Sequence, residues 1–159
     1  SRNRLTRHDL GRFPGTTLFD RVARVLCAAE CLPRKELYEA WEVARRARRQ
    51  FRGGRVVDVA GGHGVLAALM LLLDRASPEA IVVDPAIPPS AAAVRRALVD
   101  AWPDLDRRLR SHQGPLDSFT LEATDVIVSC HACGALTDRV LDAATRVRAR
   151  VAVLPCCHD

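Results

Sequence analysis

The chain has 159 residues, 48% of them hydrophobic and 27% charged, which is enough for one domain with a core of its own. No run of about 18 uncharged apolar residues is present, and the first ten residues, SRNRLTRHDL, lack the apolar segment of a secretion signal. A membrane-spanning or exported protein is therefore not expected, and the reading is a soluble, cytoplasmic one.

The net charge of +5 is unevenly placed, with 14 Lys and Arg against 6 Asp and Glu in residues 1–55 and 10 against 13 in the remainder. Arg45, Arg46, Arg48, Arg49, Arg52 and Arg55 form a basic run. Such a run suits nucleic-acid phosphates or simply a solvated helix face, since no aromatic residues are interleaved for base stacking.

From Thr17 to Arg49 apolar residues recur at helical spacing. Pro33 divides the run, so two helices are expected to meet there, the second ending at Gly53-Gly54. Cys27 and Cys31, four residues apart, are expected on the core face of the first helix. Residues 1–52 thus read as a basic helical segment, and residues 53–159 as a separate unit.

In that unit short β-branched runs alternate with helical segments. Strands are expected at 55–59, 80–84, 109–113, 125–129 and 150–154, and helices at 65–73, 90–101 and 137–148. This alternation predicts an α/β fold with a Rossmann-like, doubly wound parallel sheet, in which ligands bind at the carboxyl ends of the strands. No internal repeat or low-complexity tract interrupts it. The chain starts without Met and stops at VAVLPCCHD with no closing element, so it reads as a piece of a longer protein, truncated after the fifth strand.

The first strand runs into a glycine loop, Ala60-Gly61-Gly62-His63-Gly64, and Gly62 to Ala67 fit the dinucleotide pattern G-x-G-x-x-A. Asp84, followed by Pro85, closes the next strand twenty residues after Gly64. On this pattern alone a nicotinamide-dependent oxidoreductase is possible. Asp58, just before the loop, would repel a pyrophosphate resting on the helix N-terminus. It suits a cationic ligand better. S-adenosylmethionine carries a sulfonium and an ammonium group, and its ribose hydroxyls match a carboxylate at Asp84. A purely structural turn is the remaining alternative. Ser129, ending the fourth strand, and Gln113 and Gly114, after the third, are further candidates for the cofactor pocket, the latter two on its adenine side.

SCHACGALTD (129–138) and PCCHD (155–159) each follow a predicted strand. Cys130, Cys133, Cys156 and Cys157 offer a soft ligand set for zinc, although their spacing departs from that of zinc motifs. A non-catalytic metal or thiol module on the same fold is the corresponding alternative. His131 or His158 is of a type that can take a proton from a methyl acceptor near neutral pH.

The combination D-x-A-G-G-H-G, H-A-C-G-x-L-T-D and P-C-C-H, over about residues 30–159, resembles class I S-adenosylmethionine-dependent methyltransferases. It looks like the branch that includes the methyltransferase-like 25 group, and is also similar to tRNA ribose 2′-O-methyltransferases that carry a C-C-H-H segment. Ala60 stands where Gly is commoner, and Leu136 where the tRNA branch has Ala. The resemblance implies a cofactor pocket built from Asp58, Ala60, Gly62, Gly64 and Asp84. It places His131, Cys133, Gly134, Asp138, Cys156, Cys157 and His158 around the methyl-transfer face. RNA, either tRNA or rRNA, is the acceptor that the likeness and the basic N-terminal region suggest.

Overall fold

A computed structural model of the chain describes residues 3–155. Five strands, β1 (Val56–Val59), β2 (Ala80–Asp84), β3 (Leu109–Gln113), β4 (Val126–Ser129) and β5 (Arg150–Val153), form one parallel sheet in the order β3-β2-β1-β4-β5. The chain moves outward from β1 to β3 and then returns to pair β4 with β1. The switch point of the sheet therefore lies between the carboxyl ends of β1 and β4, where open α/β sheets hold ligands.

Among the described residues six α-helices accompany the sheet: α1 (Leu18–Ala29), α2 (Arg34–Gln50), α3 (Val65–Leu73), α4 (Ala91–Ala101), the short α5 (Leu105–Arg108) and α6 (Ala135–Val147). Successive strand residues face opposite sides. Val56, Val82, Val126 and Val128 join a core with α1 to α4, whereas Val57, Val59, Ile81, Val83 and Ile127 join a second core against α6. α3, with the sequence VLAALMLLL, has seven buried residues because it is covered by the sheet on one side and α2 on the other.

The helices of residues 1–52 thus share a core with the sheet. Buried Leu26, Cys27, Leu37, Ala40 and Ala44 lie in the same cluster as Leu66, Leu69 and Met70. Their basic run is broken up. Arg48 is buried, donates to Met70 O and Ser77 Oγ, and faces Asp74 at 3.4 Å. Burial lowers its pKa to about 10. Arg55 clamps the fully buried Asp125 through two bonds of 2.9 Å, and Arg45 and Arg46 pair with Glu42. Arg48 and Arg55 are thus drawn out of the run, while Arg46, Arg49 and Arg52 stay exposed.

The strands and longer helices agree with the sequence reading to within two residues at each end, apart from the end of α1; short 3₁₀ turns at Arg7–Arg12 and Leu116–Ser118 were not expected. The stretch before β3 contains α5, and α1 stops at Ala29, where Glu30 takes a left-handed conformation with φ 54°. Cys31 therefore lies beyond the helix, half-buried, with its thiol 3.9 Å from Ser90 O. Among the described residues no helix is long and apolar enough to cross a membrane.

Candidate active site

The glycine loop turns β1 into α3 beneath a set of short contacts. Asp58 is 1% exposed and sits under the loop, where its Oδ2 accepts from Ala67 N at 3.1 Å and its Oδ1 has no partner. Burial raises its pKa to about 8, with the Ala67 N–H working against that and the charges of Glu36 and Asp84 adding to it. A side chain at Gly61 would place its Cβ 2.7 Å from the Asp58 carboxyl carbon and 2.9 Å from Val82 Cγ1. Glycine is required there by packing.

Gly62 differs from its neighbour. Its φ is +51°, and a Cβ added to it would meet nothing within 4 Å. The loop backbone is bare at this point, and a ligand can approach it closely. Gly62 N donates to Asp84 Oδ2 at 3.0 Å, while Asp84 Oδ1 accepts from Ala86 N at 2.8 Å. The carboxylate of β2 is thus fixed against the loop of β1, with two of its roughly four lone-pair positions unspent. Ala60, where the resemblance departs from Gly, adopts φ 54° and donates its N–H to Val83 O.

His63 bridges three elements. Its Nδ1 lies 3.0 Å from a Glu36 carboxylate oxygen in the first turn of α2, and its Nε2 lies 2.8 Å from Ser90 Oγ at the N-cap of α4. Glu36 and Ser90 are functional candidates that the sequence reading missed. A polar ring between two glycines signals that His63 needs partners, but no local spacing identifies residues 27 positions away on either side. A cleft of about 240 Å³, lined by Gly62, His63, Gly64, Val82, Ile87 and Ser111 among others, opens beside the loop. It is smaller than a nucleoside cofactor requires, and Asp84 is not among its walls.

At the other end of the crevice, Ser129 is fully buried; its hydroxyl donates to Val59 O at 2.7 Å and accepts from Ala132 N at 3.1 Å. It joins the carboxyl ends of β1 and β4 and does not face the open loop. Cys130 is a buried free thiol, and burial, followed by the charge of Asp58, raises its pKa well above the ordinary thiol value. The neutral thiol is favoured there. His131 and Cys133 are half-buried on the turn into α6, Gly134 has φ +55°, and Asp138 is exposed in the first turn of that helix. Gln113 and Gly114 continue β3 beside Asp84, with Gly114 N donating to Asp84 O at 3.1 Å and exposed Pro85 opening the turn after it.

Cys156, Cys157 and His158 lie outside the described residues. Within those residues no group of three or more His, Cys, Asp or Glu side chains is placed to hold a metal ion. The sequence candidates for the cofactor thus converge on the carboxyl ends of β1, β2 and β3, and His131, Cys133 and Asp138 follow β4.

The methyltransferase domain family matches residues 34–159. The chain belongs to that family. No protein of curated function matches it. Its fold is that of class I S-adenosylmethionine-dependent methyltransferases. The Arabidopsis thaliana protein arginine methyltransferase 10 is 26% identical, with a TM-score of 0.51, and the match covers 71% of this chain and 33% of that one. The B. subtilis tRNA methyltransferase TrmK is 18% identical with a TM-score of 0.54, over 72% of this chain and 49% of the other. The S-adenosylmethionine-dependent methyltransferase SibL is 22% identical with a TM-score of 0.52, over 94% and 46%. This methyltransferase domain therefore spans between a third and a half of the length of these structures.

Proposed function

We propose that the chain is the cofactor-binding core of an S-adenosylmethionine-dependent methyltransferase that acts on RNA. The observation that carries the cofactor reading is the bond from Gly62 N to Asp84 Oδ2, made at a loop position where a Cβ would meet only open space. It sets a bare backbone and a carboxylate side by side at the carboxyl ends of the adjacent strands β1 and β2.

The residues present fit the cofactor. Asp84, with its unspent lone pairs, would accept from the ribose hydroxyls, Gln113 and Gly114 would border the adenine, and the Gly62 backbone would admit the aminoacyl part. Asp58, whose Oδ1 has no protein partner, is held protonated by burial and braces the loop through Ala67 N, not as a charge that faces the cofactor. When bound, S-adenosylmethionine supplies a methyl group already activated by the sulfonium. The work left to the protein is to hold the acceptor in line with that group and to exclude water. His131, Cys133 and Asp138, together with Cys156, Cys157 and His158, belong to this acceptor side by resemblance, with a histidine taking the acceptor's proton.

RNA as acceptor is supported by the positive excess in residues 1–55 and by the likeness of the H-A-C-G and P-C-C-H segments to the tRNA branch. The test is transfer of isotopically labelled methyl from S-adenosylmethionine to total tRNA, rRNA, protein or small-molecule extracts, using the protein extended to its natural ends. Label in an RNA fraction supports the proposal; label only in protein or small molecules replaces the acceptor and leaves the cofactor reading intact.

A further inference from the structure

A second cavity, of about 630 Å³, lies at the opposite ends of the strands. Its walls include Ser77 and Pro78, which precede β2, and Trp102 to Leu105 with Arg107 and Arg108, which precede β3. Strands of four to five residues separate it from the glycine loop by roughly 15 Å. Its volume falls in the range of small-molecule sites.

The chemistry of the lining is distinctive. Arg21, Arg75, Arg107 and Arg108 face a single acid, Asp104, and Leu18, Leu71 and Leu72 supply apolar surface. Arg108 is built into the wall: its side chain is 8% exposed, and it donates to Asp104 Oδ2 at 2.8 Å and Ser77 O at 2.6 Å. Those bonds use two of its five N–H groups. Arg107 also pairs with Asp104. Arg21 lies over the Trp102 ring, 5.5 Å from its centroid. Arg75 is exposed and pairs with no acid among the described residues.

Three cations thus remain in excess around a cavity that also presents an aromatic ring and an apolar wall. Guanidinium groups suit phosphate oxygens through paired donors, and an aromatic ring beside them suits a nucleobase. We infer that this cavity is a binding site for a phosphate-bearing nucleotide unit, distinct from the cofactor site at the other end of the sheet. The unit is either a free nucleotide or one residue of an RNA strand. This holds whether or not RNA is the methyl acceptor, because it rests on the cavity alone.

The test uses the protein extended to its natural ends, a 5′-fluorescein-labelled ten-nucleotide oligouridylate followed by anisotropy, and AMP and pyrophosphate followed by Trp fluorescence and calorimetry. The variants are Arg75→Glu and the double variant Arg75→Glu/Arg107→Glu, both at exposed positions, with thermal melting as the control for folding. Binding of the oligonucleotide that weakens about tenfold in the double variant and falls steeply between 50 and 200 mM salt supports the site with RNA as its source. Binding of AMP or pyrophosphate without the oligonucleotide, weakened likewise by the variants, supports it with a free nucleotide as its source. No binding of any probe by the folded wild type, or equal affinities in wild type and double variant, overturns it. Loss of S-adenosylmethionine binding elsewhere in the molecule leaves these outcomes unchanged, so the two readings fail separately.

Discussion

Glu36 and His63 join the start of an N-terminal helix to the middle of the glycine loop, carboxylate to Nδ1, at 3.0 Å. With Ser90 on the other ring nitrogen, the imidazole pins the loop to α2 and α4 at once. Glu36→Ala leaves the ring held on one side only. Since a hydrogen bond to a charged group contributes about 1.5–3 kcal/mol, S-adenosylmethionine affinity is expected to fall about tenfold, with Ser90→Ala having a smaller effect. Calorimetric titration of both variants checks this; unchanged affinity in Glu36→Ala would show that the bridge does not order the loop.

Gly61 and Gly62 are adjacent, yet alanine should act on them through different properties. At Gly61 the new Cβ meets Asp58 and Val82 below 3 Å, and overpacking of this kind costs about 1–3 kcal/mol. At Gly62 the space is open, so stability falls only by the left-handed strain of about 1–2 kcal/mol, while the methyl group occupies the face that a cofactor needs. Melting curves and cofactor affinities of the two variants, measured together, should show the affinity loss per unit of stability lost to be far larger for Gly62→Ala.

Asp58 gives the fold a pH dependence with a definite sign. Its folded-state pKa is raised to about 8 against an ordinary value of 3.8, so between these values the folded protein holds a proton that the unfolded chain has released. Its contribution to stability is present in full below about pH 4 and is lost as the pH rises through 8. Asp58→Asn keeps a neutral acceptor for Ala67 N–H and removes that slope. Thermal melts from pH 5 to 9 should therefore show the wild type losing more stability than the variant toward the alkaline end; parallel profiles would mean that Asp58 is ionised in the fold.

Arg55 reaches from the edge of β1 to Asp125, which is completely buried before β4. Removing one partner of such a pair leaves an uncompensated charge, at a cost of about 3–5 kcal/mol. Arg55→Ala should unfold at markedly lower denaturant concentration, and Arg55→Ala/Asp125→Ala should recover part of the loss, which a double-mutant cycle measures.

Much of this arrangement is legible in the sequence because its signals are local. Short valine- and isoleucine-rich runs such as VVDV and AIVVD announce buried parallel strands, and the glycine cluster between β1 and α3 with Asp84 at the end of β2 announces the crevice. What escapes is long-range pairing. Arg48 and Arg55 look like members of a solvated basic run until Asp74 and Asp125, brought in from other elements, claim them. Glu36 and Ser90 likewise become partners of His63 only when α2 and α4 pack beside the loop. The cavity walled by Trp102 and four arginines draws residues from α1, α3 and the turn after it, the end of α4 and α5, so no single stretch carries its pattern.

The most direct test of the cofactor assignment is calorimetric titration of S-adenosylmethionine, with S-adenosylhomocysteine and NAD as comparisons, into the wild type and Asp84→Ala. Saturable binding of S-adenosylmethionine and S-adenosylhomocysteine but not NAD, weakened at least about tenfold in Asp84→Ala, which is about 1.4 kcal/mol, is the expected result. Absence of S-adenosylmethionine binding by the folded wild type, or binding untouched by loss of the Asp84 carboxylate, would contradict it.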